Sequence, residues 1–143
     1  MALSMTTTER EAFLADLHVG VLGVNHGDVP LAVPIWYDYE PGGDIWVLTS
    51  PDSIKGKALA ATGRFSLCAQ TETPPYRYVT VEGSVTAVET PTPADTRHMA
   101  HRYLGPELGD AYVEATADGE GSSMRYRLSP ERWYTVDYGK QFA

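Results

Sequence analysis

This sequence predicts a small antiparallel β-barrel decorated by helices, and three observations predict it. Most of the chain divides into short runs of β-branched, aromatic and aliphatic residues, separated by turn sequences such as His26-Gly-Asp28 and Glu40-Pro-Gly-Gly43. The run over 76–88 alternates, with Tyr78, Thr80, Glu82 and Ser84 on one face and Val79, Val81 and Gly83 on the other, as a half-buried strand requires. Helical signals are few, so most strands are joined by hairpins, with one helix inserted after the third strand and others at the edges. Six or seven strands fit within the 143 residues, of which 43% are hydrophobic, and residues 1–143 are read as one domain with its own core.

Taken in order, residues 8–17 place Phe13, Leu14 and Leu17 at helical spacing, with acids in the first turn, and form a short amphipathic helix. Residues 19–24 and 30–39 are strands of strong β formers that pair as a hairpin across His26-Gly-Asp28. Glu40-Pro-Gly-Gly43 turns the chain into a third strand, Ile45-Trp-Val-Leu48, which ends in the hydroxyls of Thr49 and Ser50. Pro51 and Asp52 break the extended run, Ser53 stands at the N-cap of a helix over 54–61, and Gly63 is its C-cap residue. Residues 64–70 are an almost wholly apolar strand, with Cys68 expected to be a buried thiol, and Thr71-Glu-Thr-Pro-Pro75 leads into the strand over 76–88. Thr90-Pro-Thr-Pro93 opens a helix over 94–104, ended by Gly105 and followed by a short helical piece over 106–112. The small, acidic, Gly-rich stretch 115–123 reads as a mobile surface loop, and 124–128 and 133–138 are the last two strands.

Composition narrows the function. A formal net charge of -8 and a pI near 4.8 argue against nucleic acid or an anionic membrane surface as the main partner. No apolar run is long enough to cross a bilayer, and the N-terminal residues lack the basic-then-apolar order of a signal peptide, so a cytoplasmic location is expected. A single cysteine excludes a disulfide framework. There is no Gly-x-Ser-x-Gly elbow and no Cys–His pairing at a recognisable spacing, which disfavours hydrolytic nucleophile chemistry.

The segment over 44–59 has the makings of an anion cradle. A helix start has free amides and the positive end of the helix dipole, here beside the hydroxyls of Thr49, Ser50 and Ser53. Two of the chain's three lysines, Lys55 and Lys57, fall at this point. In a chain this acidic, a phosphate ligand needs local positive charge. The competing reading is a solvated helix start with two surface lysines. Residues two apart on a helix point in nearly opposite directions, so both lysines reach one anion only if Lys55 lies in the first, irregular turn.

His98 and His101 share one helical face at the spacing of a metal pair, but no third ligand of comparable strength is nearby, and they read as partly exposed helix histidines; no metal site is expected. The aromatics Trp36, Tyr37, Trp46, Tyr76, Tyr78, Tyr126, Trp133, Tyr134 and Tyr138 lie in or beside strands and exceed what a small barrel holds, so some should line a cleft or a subunit contact. Arg77, Arg125 and Arg127 add cations beside them, a surface suited to a flat anionic ligand.

In order, Ala32-Val-Pro-Ile-Trp-Tyr37, Trp46-Val-Leu-Thr-Ser50, Ser53-Ile-Lys-Gly-Lys-Ala-Leu59, Arg64-Phe-Ser-Leu67 and Tyr76-Arg-Tyr-Val-Thr-Val-Glu-Gly83 resemble the split β-barrel of the pyridoxamine 5'-phosphate oxidase-like superfamily. More closely, they resemble its flavin/deazaflavin oxidoreductases that use coenzyme F420. The resemblance implies a homodimer with two cofactor sites at the interface. It implies that Thr49, Ser50, Lys55 and Lys57 hold the cofactor phosphate, that Val33, Pro34, Ile35 and Trp36 lie along the tricyclic ring, and that Arg77, Tyr78 and Trp133 approach the site from its sides. The activity implied is hydride transfer from reduced deazaflavin to an unsaturated, planar small-molecule acceptor, with Tyr126 and Tyr134 as candidate proton donors. An FMN-dependent oxidase or reductase, or a non-catalytic flavin- or deazaflavin-binding module, are the alternatives. The C-terminal Arg/His clamp of the true oxidases is reduced here to Arg132 alone, which speaks against vitamin B6 oxidation.

Overall fold

The computed structural model describes residues 2–117 and 123–142. Its elements are α1 (Thr7–Ala15), β1 (Gly20–His26), β2 (Val29–Ile35), β3 (Asp38–Tyr39), β4 (Ile45–Thr49), α2 (Ile54–Thr62), β5 (Arg64–Gln70), β6 (Arg77–Glu89), α3 (Pro93–Thr116), β7 (Met124–Asp137) and a 3-10 turn over Tyr138–Phe142. The seven strands form one antiparallel sheet in the order β2-β1-β5-β6-β7-β4-β3.

That order has a geometric consequence. β2 and β3 are the two outer strands of the sheet, yet only Trp36 and Tyr37 separate them in sequence. Three Cα–Cα steps span at most about 11 Å. The sheet therefore curls until its two edges nearly meet, and the gap between them, bridged by Trp36-Tyr37, makes this a split barrel. Residues 30–39 are thus not the single strand the sequence predicts. Tyr37 leaves the ladder to bury its ring, fully enclosed, and its hydroxyl donates to the Leu14 carbonyl at 2.7 Å. The chain then changes partner, Asp38 and Tyr39 pairing with Trp46 and Ile45.

Two more expectations are corrected. The strands expected at 124–128 and 133–138 are one, β7, whose pairing with β6 shifts register at two places and so absorbs the Ser129-Pro130-Glu131 interruption. The helix after Thr90-Pro-Thr-Pro93 does break at Gly105, where φ is +80°, but its second half runs on to Thr116, into the stretch read as a loop; residues 118–122 lie outside the described residues. At the other end, α1 stops at Ala15, which leaves Leu17 off its apolar face and 58% exposed.

The interior is filled from both sides of the curl. β1, β5 and β6 contribute Leu22, Leu67, Val79 and Val81, β4 and β7 contribute Ile45, Val47, Tyr126 and Leu128, and α1 and α2 close the ends with Leu14 and Leu59. The alternation of β6 is as its sequence predicts, with Val79, Val81 and Gly83 inward. In β5 the same alternation puts Leu67 and Ala69 inside and leaves Cys68 half-buried beside Val21, so the expected buried thiol faces outward. No helix among the described residues is long and apolar enough to cross a membrane.

Candidate functional site: a helix-start cradle beside the barrel split

β4 delivers its last residues directly to the start of α2. Ser53 takes an extended conformation as N-cap and its hydroxyl accepts from the Gly56 amide at 3.1 Å while donating to the Ser50 carbonyl at 2.6 Å. Thr49 meets Ser53, oxygen to oxygen, at 3.3 Å, and the Ser50 hydroxyl accepts from the Asp52 amide at 3.1 Å. The first i to i−4 bond runs from Lys57 to Ser53, so the amides of Ile54 and Lys55 precede the helical ladder and face outward from its positive end. Gly56 is required here, because a Cβ would stand inside contact distance of the Ser50 carbonyl oxygen and 3.1 Å from the Pro51 Cα. The turn is therefore closed down onto the helix by a missing side chain. Lys55 is half-buried in this first turn and Lys57 is exposed, and among the described residues no carboxylate pairs with either. An unpaired ammonium beside free amides and the half-buried Ser50 hydroxyl is a donor set that fits a phosphate, whereas the Thr49 hydroxyl is buried and the Ser53 hydroxyl is spent on the Ser50 carbonyl.

The split lies next to this cradle and is held by α3. Arg102 gives its Nε to the Tyr37 carbonyl at 3.0 Å and one terminal nitrogen to the Ala15 and Asp16 carbonyls at 3.3 and 3.0 Å, capping the end of α1. Its other terminal nitrogen sits 3.5 Å from the Asp38 carboxylate. The Tyr103 hydroxyl accepts from the Tyr37 amide at 3.0 Å and lies 2.6 Å from the His18 carbonyl, to which it donates. Burial raises the Tyr103 phenol above its ordinary value and the Tyr37 phenol well above it, so each is a protonated donor at neutral pH. Trp36 is then fixed by stacking on the Tyr103 ring, 5.0 Å between centroids and nearly parallel, with Tyr112 tilted against it at 5.5 Å.

Between Trp36, the outward face of Leu48 and the two halves of α3 opens a cleft of about 470 Å³. Leu48 lines it while Thr49, the next residue, turns its side chain to the other face of β4, so cleft and cradle sit on the two sides of one strand end.

Residues 6–134 match the pyridoxamine 5'-phosphate oxidase family. The chain belongs to that family. No curated protein matches it. Solved structures with its fold include a conserved hypothetical protein from Mycobacterium tuberculosis, 21% identical, covering 99% of this chain and 91% of that one with a TM-score of 0.76. A protein described as an F420 reductase is 19% identical over 87% of this chain and 94% of its own, with a TM-score of 0.69. A FAD-binding protein from Mesorhizobium loti is 19% identical over 92% and 93%, with a TM-score of 0.63. At these identities the likeness is one of fold.

The other residues singled out in this member of the pyridoxamine 5'-phosphate oxidase family are spread round the barrel. Val33 and Pro34 lie on the outer strand β2, paired with Leu22 and Val21, while Ile35 turns inward. Arg77 begins β6 with its guanidinium 5.1 Å from the Phe13 ring, and Tyr78 beside it is half-buried between Gln70 and Val136. Trp133 packs under α1, with the Arg10 guanidinium 4.5 Å above its ring and Tyr39 edge-on. Tyr126 is 1% exposed, its phenol pushed up by burial and by the Asp52 carboxylate, whereas Tyr134 is on the outer face with its hydroxyl 3.2 Å from Glu82. His98 and His101 do not converge: one bonds Asp38 at 2.8 Å and the other Asp110 at 2.7 Å. Sequence reasoning missed Arg102, Tyr103 and Tyr112, whose partners lie tens of residues away and leave no local pattern.

Proposed function

We propose that the protein is an oxidoreductase that binds coenzyme F420 and reduces an unsaturated organic acceptor. The cradle at the start of α2 carries this reading, supported by membership of the pyridoxamine 5'-phosphate oxidase family and by a fold shared with an F420 reductase. Lys55 and Lys57, with the Ile54 and Lys55 amides and the Ser50 hydroxyl, hold the cofactor phosphate, and buried Thr49 braces the turn through Ser53. Val33, Pro34, Ile35 and Trp36 offer backbone and ring surface to the tricycle, with Arg77, Tyr78 and Trp133 at the sides. When bound in its reduced form, the deazaflavin supplies a hydride, two electrons with one proton, to an unsaturated carbon of the acceptor, and a second proton from solvent completes the reduction as the cofactor is left oxidised. The chain's own task is to orient the two partners and exclude water, which needs no dedicated acid. Tyr126 and Tyr134 are tested by Tyr→Phe exchange: turnover that falls at least tenfold would restore either as a proton donor.

The protein works as a cytoplasmic homodimer in this reading. Val19, Val21 and Val29 expose apolar side chains on and beside the β1–β2 hairpin, and β2 is an outer strand whose far edge pairs with no strand among the described residues. An FMN-dependent reaction is the second reading, favoured by the FAD-binding neighbour and the family itself. Fluorescence titration with F420 and, separately, with FMN decides between them. Saturable F420 binding that Lys55→Ala/Lys57→Ala weakens at least tenfold is the expected outcome. FMN binding alone would shift the protein to the second reading, and binding of neither would sink both. Tight binding without turnover across a panel of acceptors would point to a carrier module instead.

A further inference from the structure

The cleft beside Trp36 has a composition at odds with the rest of the protein. The chain carries 19 acidic and 11 basic residues, yet no carboxylate, ammonium, guanidinium or imidazole is among the described residues that line this space. Its walls are the rings of Trp36 and Tyr112, the aliphatic groups of Leu48, Met99 and Val113, and two prolines, with uncharged hydroxyls of four threonines, Ser123 and Tyr112 as the polar side-chain groups. Of these hydroxyls, Thr92 is committed to capping α3 and Thr116 to the Tyr112 carbonyl. A volume of about 470 Å³ suits a ligand of two or three fused rings. The wall against which such rings would lie is held rigid, because Trp36 is clamped by Tyr103 and Tyr103 is bonded to the Tyr37 amide and the His18 carbonyl.

We infer that this cleft binds an uncharged, planar, largely apolar small molecule, and that this molecule is the acceptor. An anionic ligand entering it would lose hydration with no cation to meet it. The role as acceptor rests on the proposed function, since Trp36 belongs both to the cofactor residues and to the cleft wall; the binding does not.

Two dyes that differ by one sulfonate test it: neutral N-phenyl-1-naphthylamine and anionic 1-anilinonaphthalene-8-sulfonate, titrated into the intact protein while dye emission is followed. The neutral dye is expected to bind at least about tenfold more tightly. Val113→Trp, at a half-buried position on the cleft wall, should remove its binding while the affinity for F420 moves less than twofold. Thr96→Lys should reverse the order of the two dyes. Failure of the neutral dye to bind, equal affinity for both, or binding untouched by Val113→Trp overturns the inference, the last placing the dye on the β1–β2 face or between two copies. Neutral-dye affinity that stays constant when F420 is saturating removes the acceptor role. Loss of F420 binding with dye binding intact sinks the proposed function and leaves the cleft standing.

Discussion

The cradle and the split, neighbours in space, are built by opposite means. Every hydrogen bond that shapes the cradle joins residues no more than four apart, from Thr49 with Ser53 to Ser53 with Gly56. The split is held by Arg102 and Tyr103, whose partners at Ala15, Asp16, His18 and Tyr37 are 65 to 87 positions away. A local motif keeps its geometry through its own backbone, so its residues are free for a ligand. A long-range clamp is spent on holding elements together, and its removal should cost stability rather than binding chemistry.

The sharpest test of that contrast is Arg102→Met. It leaves the Ala15 and Asp16 carbonyls without this donor, the Tyr37 carbonyl with only the shared Tyr103 hydroxyl at 3.0 Å, and Asp38 without its nearest guanidinium, and should destabilise the fold by about 3 kcal/mol, read from the urea midpoint. A variant as stable as the parent would mean that the clamp is ornamental and the comparison fails. Gly56→Ala should come next, at about 2 kcal/mol from overpacking against the Ser50–Pro51 backbone, and under the proposed function it should also lower F420 affinity because the turn must open. Here stability and binding fall together, which would mark Gly56 as the link between cradle geometry and function.

A smaller effect is expected from pH at the clamp's edge. His18 is neutral in the fold: it stacks on Phe13 at 4.5 Å, its Nε2–H donates to the Phe13 carbonyl at 3.0 Å, and burial lowers its pKa from the ordinary 6.5. The unfolded chain therefore binds the proton more readily. The stabilisation is present above 6.5 and is lost as pH falls through the lowered folded value. Thermal midpoints measured from pH 7.5 to 5 should decline, and less so in His18→Gln. The smallest stability change should come from Lys55→Ala/Lys57→Ala, within about 0.5 kcal/mol, since neither lysine has an ion pair among the described residues to lose. A large loss of stability in that variant would turn both lysines into structural residues.

The N-cap at Ser53, the C-cap at Gly63, the break at Gly105 and the alternation of β6 were all legible, because capping, left-handed glycine and period-two burial depend on a few neighbouring residues. The continuity of β7 was not, because Pro130 reads locally as an interruption and only the facing strand shows that a register shift accommodates it.

The sequence by itself therefore determined where the chain turns, which faces of its long alternating strand are apolar, and a capped helix start that carries two of the chain's three lysines. Only the tertiary structure decided that residues 30–39 part at Trp36-Tyr37, that the sheet's two outer strands are brought together there, and that a charge-free cleft opens beside the split. The reason is that capping is satisfied within one turn of helix, whereas the partners of Tyr37, Arg102 and Tyr103 exist only once the sheet has curled and α3 has packed across it.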